Sequence, residues 1–320
     1  MSAHSELKYL SKLNHKIAFF SIDMTPTNIK PMISPKELSH LIKDRAKSKI
    51  IPRILDSTFI LPGLPENLQE SFELKRIPGA RFFDIEAVSD HACPLPHTVP
   101  TQEQFESALS ALGITTEDFI VLYGQHGMTM GPCRVWWTFR LFGHDNVAVL
   151  DGGLPEWIRM GGGLETGPPS PIAPTHYKIS EYRSELLVTQ GQVREASEKN
   201  LHPILDARPR ERFLGTAPEP RPGMCSGHIP GSLSLPASSF VDPERGTFKS
   251  EKEIRDLFEH NGLDLNMKDL NAITTCGSGI TACVIAFALF RLGFDKIAVY
   301  DGSWAEWGQK NAGNKIACGT

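Results

Sequence analysis

Residues 52–59 read PRILDSTF and residues 202–209 read HPILDARP, so Asp56 and Asp206 close two similar apolar runs. The pattern continues along the chain. RIPGARFFDI from Arg76 is answered by HIPGSLSLPA from His228, and RLFGHDNVAVLDGGLPEW from Arg140 by RLGFDKIAVYDGSWAEW from Arg291. Asp151 and Asp301 are again 150 residues apart. Three matches in one order, at an offset of about 150 residues, identify a duplicated domain. Whatever architecture the chain adopts, it must adopt twice. A length of 320 residues suits this, since domains run roughly 100–200 residues.

Each copy alternates strand and helix. In the first, FIVLY (Phe119–Tyr123) is a β-rich run, a glycine-rich loop follows, and the pattern predicts a helix over Pro132–Phe142. VAVL (Val147–Leu150) is a buried strand closed by the turn residues Asp-Gly-Gly. In the second copy a strand over Asn271–Thr275, a cysteine loop, a helix over Thr281–Leu292 and a strand over Ile297–Tyr300 repeat the order. Helix starts carry capping-box pairs: Thr101 with Gln104, Thr189 with Gln192, Ser250 with Glu253 and Ser303 with Glu306. Continuous apolar strands between helices predict an α/β fold of two tandem domains, each a mainly parallel central sheet with helices on both faces. The stretch GGGLETGPPSPIAPTH (Gly161–His176) can propagate neither helix nor sheet. The expected division is a leader over 1–35, a first domain over 36–162, a semi-rigid linker over 163–180 and a second domain over 181–320.

The charge balance excludes some partners. With 33 basic and 37 acidic residues, the net charge of −4 gives no electrostatic reason to bind nucleic acid or an anionic membrane. No apolar run approaches the roughly 18 residues of a membrane span. MSAHSELKYLSKLNHKIAFF at the N-terminus lacks the long apolar core of a secretory signal and the arginines of a mitochondrial transit peptide. It reads as an irregular leader, and the chain as cytoplasmic with a mitochondrial share left open. Six scattered cysteines form no CxxC pair or Cys/His cluster, so no structural metal is expected and free thiols in a reducing compartment are the default.

One of those thiols has a setting of its own. In TTCGSGITACVIAF (Thr274–Phe287) an apolar strand runs into Cys276, followed by Gly277, Ser278 and Gly279 and then a helix. Open α/β sheets bind ligands at the carboxyl ends of their strands. Small residues let backbone N–H groups turn inward as an anion nest, and the next helix adds the positive end of its dipole. Such a setting favours a thiolate, and a reachable thiolate is a nucleophile. Cys283, among Ala282, Val284 and Ile285, reads instead as core packing. The first copy is an internal control. Its LYGQHGMTMGPCRVWW (from Leu122) has no cysteine near Tyr123–Gln125, where Cys276 aligns, and Cys133 falls within the helix.

Tandem domains, the HIPG turn, CGSGITAC and the closing DGSWxxW resemble the rhodanese superfamily of sulfurtransferases over about residues 36–312. The loop is most similar to that of the 3-mercaptopyruvate sulfurtransferases. Thiosulfate-using relatives carry basic residues just after the cysteine, where this chain has Gly277 and Ser278. Thiosulfate is therefore expected to be the poorer donor, and a thiosulfate sulfurtransferase is the alternative reading. The resemblance implies that Arg212 and Arg221, in RPRERFLGTAPEPRPG, hold the donor carboxylate by paired charge-assisted hydrogen bonds. Arg208 and Arg210 lie off the matched positions. Gly277, Gly279, Ile280 and Thr281 complete the implied substrate-binding set.

The resemblance further implies a relay of Ser278 with His97 and an acid of the first domain, here Glu86 where relatives have aspartate. On this pattern Cys276 takes sulfur from 3-mercaptopyruvate as a persulfide and releases pyruvate. The sulfur then passes to a thioredoxin-like dithiol, a small thiol or cyanide, with no cofactor or metal required. Two other classes fit less well. A cysteine phosphatase needs an arginine six residues after the cysteine, and position 282 is alanine. A rhodanese-like binding module without activity has no need to keep Cys276, Ser278, Arg212 and Arg221 together.

Overall fold

The computed structural model describes residues 30–43, 51–60, 66–127, 129–267 and 270–319; residues 1–29 of the expected leader lie outside these. The strands of the first copy are β1 (Met32–Ile33), β2 (Pro52–Asp56), β3 (Arg81–Phe82), β4 (Phe119–Tyr123) and β5 (Val147–Leu150). Those of the second are β6 (Leu187–Val188), β7 (Ile204–Asp206), β8 (Leu233–Ser234), β9 (Ala272–Thr275) and β10 (Ile297–Tyr300). They form two sheets, ordered β1-β5-β4-β2-β3 and β6-β10-β9-β7-β8, with every pairing parallel. One order is the other shifted by five strands, so the repeat in sequence is a repeat of topology. β4, β5, β9 and β10 are buried along their whole length, as strands covered on both faces must be.

The expected elements are present, with shifted ends. The helices on either side of the seam between the copies cover Met130–Leu141 and Ala282–Arg291. Capping boxes form in full at Thr101, Thr189 and Ser250. The fourth does not. The short Ser303–Trp307 helix has Gly302 as its N-cap, and the Ser303 hydroxyl is engaged by the cysteine loop instead. The first domain also begins before residue 36, because β1 pairs with β5 through Met32 and Ile33. A two-residue edge strand offers too few positions to reveal a period. The linker runs back along the first copy: the Thr175 N–H donates to Ser110 O at 2.9 Å and the Tyr177 N–H to Ser110 Oγ at 3.0 Å. Among the described residues no helix is long and apolar enough to cross a membrane.

The two copies share one core. The Trp136 ring stands edge-on to Phe287 with centroids 4.9 Å apart, and the Arg140 guanidinium lies 4.0 Å from the Phe290 ring centre. Cys133 and Cys283 are fully buried in this seam, and burial pushes the Cys283 thiol up to about 12. Both are packing groups. Contacts across the seam are reciprocal: Asp151 Oδ1 accepts from the Phe248 N–H, and Asp301 Oδ2 from the Val99 N–H, each at 2.8 Å. The acid that follows the fifth strand of each copy thus tethers a turn of the other.

Candidate active site

Cys276 directly follows β9, at the carboxyl end of the sheet, and is buried. Sheet register pairs Asp56 with Tyr123 and Asp206 with Thr275, which makes Gly124 the first-copy counterpart of Cys276. The cysteine loop is held from behind by Ser303. Its hydroxyl accepts from the N–H groups of Cys276 and Gly279, both at 3.1 Å, and donates to Tyr300 O at 2.7 Å. Trp304 and Ala305 donate their N–H groups to the carbonyls of Cys276 and Gly277. The N–H groups of Gly277, Ser278, Ile280 and Thr281 donate to no other described residue, so these four remain available to a ligand.

Beside the loop is a pocket of about 420 Å³, lined by Cys276, Gly277, Ser278, Ile280, Thr281, Arg212, Arg221 and, from the first copy, Phe59. Arg208, off the expected positions, is buried and held by Asp206, Glu219 and the Gly227 carbonyl. Arg212 is braced by Glu219 through Nε and Nη2. Arg221 has no carboxylate at ion-pair distance among the described residues; its Nη2 donates to Ser278 Oγ at 3.3 Å and to His97 Nε2 at 3.2 Å. Burial first, and then the neighbouring Arg212 charge, lower its pKa from the usual arginine range. A Cβ on Gly277 would lie 3.3 Å from Arg212 Nη2, so that glycine leaves room for the guanidinium pair. Gly279 is placed differently from expectation. It faces away from the pocket, and at φ 80° a side chain there would collide with Asp301.

His97 reaches this site from the first copy. An arginine only donates, so His97 Nε2 accepts from Arg221 and the ring proton is assigned to Nδ1. That Nδ1 stands 2.5 Å from Glu86 Oε1, a close contact bent away from a straight hydrogen bond. The His97 contact, more than any other influence, holds Glu86 below the usual glutamate range. The extra methylene of glutamate therefore does not prevent the pairing. Ser278 and His97, however, are not bonded to each other: the Arg221 guanidinium lies between them. Ser278 and His97 meet through that one cation, and Glu86 is joined to them only by way of His97.

A model of the rhodanese-like domain matches residues 34–160 and again 189–310. The chain belongs to the rhodanese family. It is 39% identical to human 3-mercaptopyruvate sulfurtransferase over 257 residues, covering 80% of this chain and 84% of the relative. It is 40% identical to bovine thiosulfate sulfurtransferase over 281 residues, covering 86% and 91%. The crystal structure of the 3-mercaptopyruvate sulfotransferase SseA from Escherichia coli superposes with a TM-score of 0.75 at 33% identity, covering 86% of this chain and 99% of that one.

The two rhodanese domains have diverged in their sites. Asp206 pairs with Arg208, whereas Asp56 is bonded by Thr58 and Gln125, and burial raises its pKa. At its own loop the first rhodanese domain has Gly124 where the second has Cys276 and Thr58 where the second has Arg208, and it gives Phe59, Glu86 and His97 to its neighbour's site. Sequence reasoning missed Ser303, Phe59 and the brace Glu219. A signal for Ser303 existed: the repeat aligns DGG with DGS, replacing Gly153 by serine.

Proposed function

We propose that this rhodanese-family chain is a sulfurtransferase that draws sulfur from 3-mercaptopyruvate onto Cys276 and passes it to a thiol. The observation that carries the reading is the charge arrangement around the thiol. Arg208 is matched by Asp206 and Arg212 by Glu219, which leaves Arg221, among the described residues of the pocket, as the cation without a carboxylate at ion-pair distance. One unmatched guanidinium suits the single carboxylate of an α-keto acid. The second charge of thiosulfate finds no partner, because Gly277 and Ser278 are neutral. This favours the activity named for the human relative over that named for the bovine one.

In the first step the Cys276 thiolate attacks the donor sulfur. The carbon–sulfur bond breaks with its electrons on carbon, giving the enolate of pyruvate, which takes a proton. As Arg221 turns onto the carboxylate it releases Ser278 and His97. His97 Nε2 then takes the proton of the donor thiol, and the Ser278 hydroxyl passes it to the enolate carbon, leaving pyruvate and the Cys276 persulfide anion. The uncommitted loop amides hold the persulfide. In the second step a thiolate attacks the outer sulfur and Cys276 leaves as thiolate. A thioredoxin-like dithiol, a small thiol or cyanide fills the acceptor role. The persulfide itself carries the group, so the proposal needs no metal or organic cofactor. A cytoplasmic location accompanies this reading, and cell fractionation tests for a mitochondrial share.

Mass spectrometry after exposure to mercaptopyruvate tests the nucleophile. The expected result is a gain of about 32 Da, one sulfur atom, on Cys276, absent from Cys276→Ser. A Cys276→Ser protein that still forms persulfide would overturn the assignment. With one acceptor throughout, Arg221→Ala should raise the KM for mercaptopyruvate far more than that for thiosulfate.

A further inference from the structure

The seam between the copies is built twice, and its two ends differ by one buried cation. At one end Asp151 accepts the Phe248 N–H, and no guanidinium or ammonium lies at ion-pair distance among the described residues. Burial there raises the Asp151 pKa. At the other end Asp301 accepts the Val99 N–H in the same way, and Asp301 Oδ1 also takes Nη1 of Arg134 at 2.6 Å. Cys133 and Cys283 are matched in the two seam helices, so the counterpart of Arg134 is Val284. The fold therefore closes its non-catalytic end without such a residue.

Arg134 is 2% exposed, and a buried guanidinium carries a desolvation cost of several kcal/mol. Besides stacking on Trp137 and meeting Cys283, its guanidinium makes three hydrogen bonds that lead to the site. Nη2 donates to the carbonyl of His97 at 2.8 Å, and Nη1 reaches the carbonyl of Gly279 in the cysteine loop at 3.4 Å. Its partner Asp301 lies two residues before Ser303, whose hydroxyl receives the Cys276 N–H. One side chain thus touches the backbone of the relay histidine, the loop of the nucleophile and the turn that supports that loop. We propose that Arg134, paired with Asp301, is a positioning residue for sulfur transfer, fixing His97 against the Cys276 loop across the domain seam. The proposal rests on the reading of Cys276 and His97 given above.

Arg134→Lys keeps a charge beside Asp301 but cannot span Asp301, Gly279 and His97 together. Asp151→Ala removes the matching tether at the end with no catalytic group. Three quantities are compared in the full-length protein: single-turnover persulfide formation on Cys276 across pH, donor KM and the urea midpoint. Arg134→Lys should slow persulfide formation about 10- to 100-fold, the cost of small misplacement at a reacting centre, and alter its pH profile. Donor KM should hold, since Arg212 and Arg221 are untouched. Asp151→Ala should lower the midpoint and keep the wild-type rate and pH profile.

If Arg134→Lys loses stability alone, as Asp151→Ala does, Arg134 serves the fold and the proposal is overturned. Should Arg134→Lys not fold, Asp301→Asn decides: it keeps an acceptor for Val99 but weakens the Arg134 pair, so a wild-type rate in it also overturns the proposal. A wild-type protein that forms no Cys276 persulfide is a different failure. It removes the underlying reading, and the proposal with it.

Discussion

His97 and Ser303 hold their backbones at φ 60° and 47°, in the left-handed region where a Cβ crowds the next carbonyl. The duplicated fold shows what these positions prefer. Two residues before each amide that crosses the seam stand His97 in one copy and Gly246, at φ 67°, in the other; Ser303 is answered by Gly153 at φ 57°. Imidazole and hydroxyl are kept there against the backbone's preference, for the groups they meet. At both positions the glycine variant should be more stable than the alanine variant by about 1 kcal/mol, and equally impaired in persulfide formation. Urea unfolding of His97→Gly against His97→Ala, and of the Ser303 pair, checks this; equal midpoints would show a relaxed backbone. Cys276 was legible because it stands in a local motif, and Arg212 and Arg221 because the family resemblance matched their positions. Arg134 was not, since the bond that defines it spans 167 residues of chain, and Ser303 was marked only by the glycine it replaces in the repeat.

Among the elements, the long strands were legible because burial on both faces leaves an unbroken apolar run, as in β4 and β10. The two-residue strands β1, β3, β6 and β8 left no comparable trace. Ser303 and Glu306 carry the same local pattern as the true capping boxes, yet the hydroxyl serves the cysteine loop and Glu306 Oε2 accepts from the Tyr300 hydroxyl at 2.8 Å. A pattern of four residues cannot register that its serine is already engaged elsewhere. The seam helices were legible as helices, but not as partners. Trp136, 1% exposed, joins them through Phe287 and Phe290. Trp136→Ala should lower stability by about 3–5 kcal/mol through transfer and cavity terms. Because the ring packs into both copies, unfolding followed by fluorescence and by far-UV circular dichroism should stay a single transition at lower urea. Two resolved transitions would show that the copies do not stand or fall together.

At the scale of the molecule, duplication allowed one copy to keep the thiol and arginines while the other supplies the histidine, so the seam belongs to the active site at one end only. The other end can then be altered without touching chemistry. There Glu156 of the first copy is bonded by Arg159 and, across the seam, by Arg245. These bonds, the one from Arg159 foremost, bring Glu156 down to about 2 from an ordinary 4.5. A carboxylate lowered by folding stabilises the fold above its unfolded value, and that contribution fades as pH falls through the folded one. Asp151 has the opposite sign: burial raises it, so its ionised form costs stability that acid relieves. Acid unfolding of the wild type mixes the two, whereas comparison with Glu156→Gln isolates one. The stability difference should be level from about pH 7 to about pH 5, shrink below that, and be largely gone near pH 2, as read from urea midpoints. A difference undiminished at the acid end would mean that Glu156 acts through packing and not through charge. Persulfide formation in Glu156→Gln should match the wild type at neutral pH, because this end of the seam holds no catalytic group.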